Sequence, residues 1–319
     1  MQTALRWDKN VLEPVFKELY EMNMKGKKDF IPLLYDEVNS TKAVESYDGI
    51  GGEGLMEDWS KSNNQVFYED IDEMWQKYIR NRKFSIGRQI ERDFIDDLQL
   101  TAIKDRIKKM ADAEYKTKQL QAVEFLHNAF VTNGLDYRRR SQDYSGPDGQ
   151  PLCSAAHPYS PTNNKDVQSN LGNKELSIDA WDESAIAMQE WVDDKGNPMV
   201  VIPDTLIVAP YNARQAFKIA GLPDSDLPHY EPGSNNFDAN MYMGNIKVIV
   251  NPFINPAYRK NWFAVDSTRL KDFNKWQWRR KTENGSMVDF NTEVASFKAV
   301  GRWAYGFLNY SFIYGHKVQ

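Results

Sequence analysis

The first residues of the chain have apolar side chains at helical spacing. Asn10 and Glu13 have the spacing of a capping box, which predicts that a helix starts at Asn10. Its apolar face consists of Val11, Val15, Leu19 and Met22. Residues 30–38 predict a second short helix. Because two short helices cannot bury both of their faces alone, we expect another surface to cover them.

Residues 41–92 are strand-like and are interrupted by a glycine-rich stretch at 49–54. Apolar and polar residues alternate again from Met74 to Ile90, which predicts a long hairpin. A two-stranded ribbon is only marginally stable in water. We therefore expect contacts from outside the segment to support it.

The strongest helical pattern lies at about 101–131 and would give a helix of ~45 Å. Its two apolar stripes are Ile103, Ile107 and Met110, and Leu120, Val123, Leu126, Ala129 and Phe130. Residues 133–175 are rich in loop formers, and residues 177–193 predict another helix.

The rest of the chain mixes helices and strands. Strands are predicted at 205–209, 245–250 and 261–266, with a helix at 211–220. The final 50 residues predict antiparallel strands, with Phe297, Ala299, Trp303, Tyr305 and Phe307 on one face and Lys298 and Arg302 on the other. The fold class is therefore α+β.

The amino-acid composition argues against several classes of function. The chain carries 40 basic and 45 acidic residues, which argues against a strongly basic nucleic-acid binder and against attraction to anionic membranes. Cys153 is the single cysteine, so neither an internal disulfide nor a multi-cysteine metal site is expected. No apolar run approaches the ~20 residues of a membrane helix, and the first residues lack a signal sequence, which indicates a cytosolic origin.

Catalytic motifs are sparse. Residues 49–54 fit G-x-G-x-x-G, but acidic residues rather than a helix N-terminus follow, so a flexible loop is favoured. Glu124 and His127 form half of a di-iron ligand pattern that has no second half in the sequence. With Asp96 or Asp97 they define a distant alternative, a metal-dependent hydrolase. We expect no enzymatic activity, no catalytic residues, no cofactor and no metal site.

Two further clusters carry residues that could act chemically. Cys153 and His157 would suit a nucleophile pair only if the fold brought them together. The densest basic cluster is Arg138, Arg139 and Arg140. It would bind either phosphate or the acidic residues of another copy, and the negative net charge favours the second.

The order of these segments resembles the major capsid proteins of tailed bacteriophages with the Hong Kong 97-type fold, and in particular the Mu-like major head subunit family. The stretches that carry the resemblance are 42–59, 84–97 continuing into the helix that ends at 126–130, 148–158, 204–210, 248–252 and 262–266. The resemblance implies an N-terminal arm at 1–40, an extended loop at 41–92, a peripheral domain at 93–200 with its spine helix at about 101–131, an axial α/β domain at 201–290 and C-terminal strands at 291–319.

The same resemblance implies hexamers and pentamers that tile an icosahedral shell around double-stranded DNA. Implied partners are further copies of the chain, a separate scaffolding protein, a portal, DNA in non-specific contact and a decoration protein, with no membrane. Since the sequence begins at Met1, we expect no cleaved scaffolding segment, and assembly is expected in the host cytoplasm. The alternative is a nanocompartment shell of the same fold that encloses a cargo enzyme.

Within this framework, two sets of residues are predicted to serve assembly. The intersubunit contacts are Val15, Leu19, Trp59, Phe67, Tyr68, Arg138, Arg139 and Arg140. The hinge of the extended loop consists of Gly49, Gly51, Gly52 and Gly54.

Overall fold

The computed structural model describes residues 9–52, 54–61, 65–66, 68, 72–93, 100–221, 244–289 and 291–318. The chain divides into two compact units. Unit 1 comprises Met1–Glu45, Ile79–Ala122 and Trp276–Tyr305, and unit 2 comprises Ser46–Tyr78, Val123–Lys275 and Gly306–Gln319. Both units combine helices with strands, so the predicted α+β class is confirmed.

The helices are α1 (Lys9–Met24), α2 (Ile31–Leu34), α3 (Leu100–Ala122), α4 (Glu124–His127), α5 (Ile178–Gln189), α6 (Ala213–Ala220) and α7 (Ser267–Phe273). The strands are β1 (Asp36–Asn39), β2 (Val44–Ile50), β3 (Glu73–Arg80), β4 (Arg82–Glu91), β5 (Asn133–Leu135), β6 (Ser141–Asp143), β7 (His157–Pro158), β8 (Val167–Gln168), β9 (Leu171–Gly172), β10 (Thr205–Val208), β11 (Lys247–Val250), β12 (Trp262–Val265), β13 (Asn274–Val288), β14 (Val294–Phe307) and β15 (Ile313–His316). Short 3₁₀ turns occupy Pro210–Asn212 and Pro256–Tyr258.

Unit 1 contains a four-stranded sheet in the order β1-β13-β14-β4. β14 pairs antiparallel with β4 from Val294 opposite Glu91 to Trp303 opposite Arg82. The predicted alternation along β14 is confirmed, since Phe297 is buried and the neighbouring Lys298 is exposed. The core of the unit consists of Phe16, Tyr20, Ile90, Ile107, Met110, Ala111, Ala295, Phe297 and Ala299.

Helix α1 packs within its own chain. Phe16 stacks on Phe297 with ring centroids 4.7 Å apart, and the Asn23 amide donates to Asp112 Oδ1 at 3.0 Å. Another surface does cover this helix, as expected, and for its buried side chains that surface belongs to the same chain. The predicted cap is wrong, because Lys9 is already helical and Asn10 lies inside the helix.

The predicted helix at 101–131 is wrong in its last third. α3 ends at Ala122, and Val123 has a ψ of 0°, which breaks the helix before the single turn of α4. The observed 23 residues span about 34 Å. The break turns the buried Glu124 carboxylate toward the Tyr137 amide and the Tyr144 hydroxyl, both of which donate to it at 2.7 Å. This tertiary requirement overrides helix propensity.

The second short helix is likewise shorter than predicted. α2 covers only Ile31–Leu34, and residues 36–39 form β1 instead. Residues 36–39 form a strand because β1 pairs with β13 at one edge of the unit 1 sheet.

Unit 2 contains a five-stranded sheet in the order β11-β10-β12-β15-β9. β10 runs parallel to β11 and antiparallel to β12. All residues of β10 and β12 are buried. The predicted strands at 205–209, 245–250 and 261–266 and the predicted helix at 211–220 are confirmed as β10, β11, β12 and α6. Large side chains of its core include Trp181, Met188, Trp191, Leu206, Ile219 and Trp262.

The prediction for the final 50 residues needs one correction. β13 and β14 belong to the unit 1 sheet, but β15 belongs to the unit 2 sheet. There it pairs antiparallel with β12 and parallel with β9. The prediction that all the final strands are antiparallel is therefore wrong for β15, which has one parallel neighbour.

Substituting Gly315 by alanine should destabilise the protein, because a Cβ there would lie 2.5 Å from Cys153 Sγ and 3.1 Å from the Phe263 ring. Overpacking of this kind costs about 1–3 kcal/mol. Thermal unfolding followed by circular dichroism would measure the loss. The matched control is Gly285→Ala, whose Cβ meets only the flexible Lys298 side chain at 3.3 Å. Equal melting temperatures for the two variants would contradict the expected effect.

Candidate assembly surfaces

The extended loop begins at a polar anchor in unit 1. The side-chain amide of the buried Asn81 donates to Ser40 Oγ at 2.6 Å and to the Lys42 carbonyl at 2.9 Å. Beyond this anchor β2 pairs with β3, whereas β4 pairs with β14. The prediction of one hairpin across 41–92 is therefore too long, since its ribbon consists of β2 and β3 alone.

The glycines after β2 allow close approach in unit 2. The Gly51 amide donates to the Asp72 carbonyl at 2.9 Å, and the Gly52 amide donates to Asp194 Oδ1 at 2.6 Å. A Cβ on Gly52 would clash with the Asp193 carboxylate. Because these amides already donate within the chain, they do not form the phosphate-binding loop that the glycine spacing suggests.

The other predicted hinge residues flank this contact. A Cβ on Gly49 would lie 2.8 Å from the Met74 Cβ, and Gly54 is half-buried. The hinge role of Gly49, Gly51, Gly52 and Gly54 stays a prediction. Asp194 thus holds the start of the loop through its hydrogen bond from the Gly52 amide.

The returning strand β3 is also fixed in unit 2. Lys77 Nζ donates to the Ser145 carbonyl at 2.6 Å. Burial lowers the pKa of Lys77, and the carboxylates of Asp143 and Asp148 oppose that shift. The two sides of the loop are thus held by the Gly52–Asp194 and Lys77–Ser145 contacts.

The tip of the loop contains a local turn, and its described apolar side chains are exposed. The Lys61 amide donates to the Asp58 carbonyl at 2.8 Å, and the Ser60 hydroxyl and amide donate to Asp58 Oδ1 at 2.8 and 3.0 Å. These two hydrogen bonds from Ser60 lower the pKa of Asp58. The exposed apolar side chains of this segment are Leu55 (73%), Met56 (101%), Trp59 (57%), Val66 (57%) and Tyr68 (87%).

Sequence reasoning found only part of this surface. It identified Trp59 and Tyr68, and its third candidate, Phe67, lies outside the described residues. It missed Leu55, Met56 and Val66. Their signal was the presence of large apolar residues in a stretch that has neither helical nor strand periodicity.

The three arginines lie at the tip of the β5–β6 hairpin, where all of them are exposed. The Arg138 and Arg140 amides donate to Asp136 Oδ1 at 2.8 and 2.9 Å, and Arg139 adopts a left-handed φ of 60°. Although burial opposes it, hydrogen bonding to Arg140 and to the Arg138 amide lowers the pKa of Asp136. The tip is therefore a pre-formed turn.

The three guanidinium groups have different surroundings. Arg140 pairs with Asp136, its Nε lying 2.8 Å from Oδ2. The Arg138 guanidinium lies 5.7 Å from the centroid of the Tyr137 ring. Within the part of the chain that the structure describes, no carboxylate pairs with the Arg138 or Arg139 side chain.

The two candidates from the N-terminal arm lie on α1. Leu19 is half-buried against the unit 1 core of its own chain. Val15 lies in α1, but its side chain is outside the described residues. Intersubunit contact by either residue stays a prediction.

The candidate catalytic residues have structural partners. Glu124 accepts the two hydrogen bonds described above, and His127 Nε2 accepts a hydrogen bond from the Asn255 amide at 3.0 Å. Burial lowers the pKa of His127 to about 4. Asp96 and Asp97 lie outside the described residues. Among the residues that are described, no group of three or more His, Cys, Asp or Glu is placed to hold a metal ion, and no helix is suited to cross a membrane.

His157 and Cys153 also have separate environments. His157 Nδ1 lies 2.6 Å from Asp148 Oδ2 and Nε2 lies 3.1 Å from Asn170 Oδ1, while the imidazole stacks on Tyr310 at 3.7 Å. Burial raises the pKa of the Cys153 thiol. Both imidazole nitrogens thus face oxygen atoms, and the thiol lies in the core beside Gly315.

Acid should destabilise unit 2 through His316. Burial lowers the pKa of His316 from 6.5 to about 4, and the ring stacks on Trp262 at 3.9 Å. Since the unfolded chain takes up a proton at higher pH than the folded chain, the free energy of unfolding is undiminished above pH 6.5 and falls toward pH 4. Urea unfolding across this range should give a smaller slope for His316→Gln than for the wild type, and an unchanged slope would contradict the assignment.

Comparisons with known proteins identify the class of this fold. The model of the phage capsid protein family matches residues 76–315. No curated protein matches the chain. The capsid of bacteriophage JBD30 decorated with minor capsid protein trimers is 14% identical, with a TM-score of 0.52 over 72% of this chain and 92% of that chain.

Two further shells share the fold. The virus-like particle from Pyrococcus furiosus is 10% identical, with a TM-score of 0.52 over 95% of this chain and 98% of that chain. The mature capsid of bacteriophage PhiM1 is 9% identical, with a TM-score of 0.50 over 92% of this chain and 88% of that chain.

The fold is therefore that of a Hong Kong 97-type capsid subunit, as the resemblance predicted. The chain belongs to the phage capsid protein family. Its function is that of a major capsid protein of a tailed bacteriophage, which self-assembles into the virion shell. Membership in the Mu-like subfamily stays a prediction, as does the five-part domain division.

Proposed function

We propose that this chain forms hexamers and pentamers, which close into an icosahedral shell around double-stranded DNA. The observation that carries the proposal is the uncovered tip of the extended loop. Met56 is completely exposed, and Trp59 and Tyr68 are more than half exposed. Large apolar groups clustered on one surface are typical of protein interfaces.

The rest of the subunit supports this use of the loop. Hydrogen bonds at Gly52 and Lys77 fix the two ends of the loop to its own subunit, which reduces the conformational entropy that is lost when a neighbour binds the tip. Each such contact is modest, and a closed shell repeats it for every subunit. Stability of the particle then comes from many weak contacts rather than from one tight site.

The proposed partners follow from the role of a shell subunit. They are other copies of the chain, a separate scaffolding protein, a portal, a decoration protein and the packaged DNA. Contact with DNA would be non-specific, and the net charge of −5 suits DNA that must later leave the particle. We propose assembly in the host cytoplasm and no catalytic role for the chain.

Negative-stain electron microscopy of the purified protein tests the proposal. Closed particles, or capsomers with five and six subunits, are the expected result. A uniform monomer of 37.0 kDa that scatters light as a single chain under all assembly conditions would overturn it.

A second candidate is a shell of the same fold that encloses a protein cargo. Similarity to the virus-like particle from Pyrococcus furiosus favours this alternative, because that match covers almost all of both chains. The contents of particles made in the native host separate the two. Encapsulated DNA supports the phage capsid, and encapsulated enzyme without DNA supports the second candidate.

A further inference from the structure

We propose that the extended-loop tip of one subunit binds the arginine hairpin of a neighbouring copy. The loop patch consists of Met56, Glu57, Asp58 and Trp59, and the hairpin patch consists of Leu135, Tyr137, Arg138 and Arg139. This inference rests on the proposed function, because it assigns the two patches to one interface of the shell.

The loop patch is both apolar and acidic. Residues 51–73 contain seven acidic residues and one lysine, a net charge of −6, while the whole chain carries −5. Glu57 and Asp58 are exposed between the apolar side chains of Met56 and Trp59. Among the residues that the structure describes, no cation pairs with either carboxylate.

The hairpin patch is both apolar and basic. Leu135 is 55% exposed, and the Tyr137 ring lies beneath the Arg138 guanidinium. Asp136 binds three groups of the turn, the Arg138 amide, the Arg140 amide and the Arg140 guanidinium. Arg138 and Arg139 therefore project from a rigid turn with no described carboxylate of their own chain.

The two patches match in charge and in chemistry. Arginine binds carboxylates through directional hydrogen bonds and also stacks on indole rings. One neighbouring tip supplies both, through Glu57 and Trp59. Leu135 and Met56 then contribute apolar contact next to the charged pairs. A second copy of the chain is the partner that supplies this combination within a shell made of one repeated subunit.

Site-specific cross-linking tests the contact. Cys153 is buried, so cysteines introduced at exposed positions are the reactive thiols. Assembled particles of Met56→Cys/Leu135→Cys, treated with a short bis-maleimide, should give a ladder of covalent oligomers in denaturing gels. The matched control Met56→Cys/Val167→Cys pairs the same tip with a different exposed position and should stay mainly monomeric.

The outcomes separate the contact from the function. Particles without a ladder would overturn the contact and leave the capsid function intact, whereas absence of particles from the wild type would count against the function itself. A ladder in the control equal to that of the test pair would also overturn the contact.

Charge exchange gives a second test that does not need cysteine. Glu57→Lys or Arg138→Glu alone should lower particle yield about tenfold, and the two changes together should restore it, because the pair is re-formed with reversed signs. Glu190→Lys and Lys165→Glu, which change the net charge equally at other exposed positions, should leave the yield unchanged. Lack of restoration in the double variant would contradict the contact.

Discussion

Replacing Met56 and Trp59 with alanine should abolish shell formation while the subunit remains folded. Exposed aromatic and methionine side chains become the dominant contacts when they enter a neighbour's pocket, and truncating one such anchor costs ~2 kcal/mol or more. Because every subunit of the shell loses the same contacts, the effect multiplies over the particle. Electron microscopy would count closed particles, and circular dichroism would monitor the fold.

The control is Met287→Ala, which removes a side chain that is 60% exposed in unit 1. It should assemble as the wild type does. Normal particle yield from the Met56/Trp59 variant would show that the loop tip is dispensable and would remove the main support for its role in assembly.

Phe16→Ala should release α1 from α3. Phe16 is 1% exposed and stacks on Phe297 in the unit 1 core. Truncating a buried phenylalanine costs about 3–5 kcal/mol, which corresponds to a roughly 10²- to 10⁴-fold larger population of the open arm. Trypsin cleavage after Lys17 should accelerate by a similar factor under conditions in which cleavage follows that population.

Leu19→Ala provides the comparison on the same helix. Leu19 is half-buried, so its loss should accelerate cleavage far less than the loss of Phe16. If wild-type protein were cut after Lys17 as rapidly as the Phe16 variant, the packing of α1 within its own chain would be disproved.

The sequence predicted elements whose stability is local or whose pattern is strong. The alternation of β14 identified its buried face, and the helical pattern of residues 211–220 identified α6. Prediction from the sequence failed where a residue far away in the chain decides where an element ends or which strand it pairs with. Nothing in the periodicity near Val123 shows that Glu124 will turn toward Tyr144, and nothing near β15 shows that β9 will be its neighbour.

The candidate assembly surfaces could also be predicted only in part from the sequence. Charge identified the arginine cluster, and aromatic content identified Trp59 and Tyr68. Exposure of Leu55 and Met56 was not predicted, because apolar residues are normally assigned to a core. Conversely, the face of α1 was assigned to a neighbour because its partners, Ile107 and Phe297, lie far away in the sequence.

The position of β15 has a consequence for synthesis of the protein. This strand lies between β12 and β9 in the unit 2 sheet, yet the ribosome makes residues 313–316 after every other strand of that sheet. Until these residues have been translated, the edges of β12 and β9 that β15 will occupy have no partner strand. Capture by neighbouring nascent chains on the same messenger RNA, or by a chaperone, is the hazard that this order of synthesis creates.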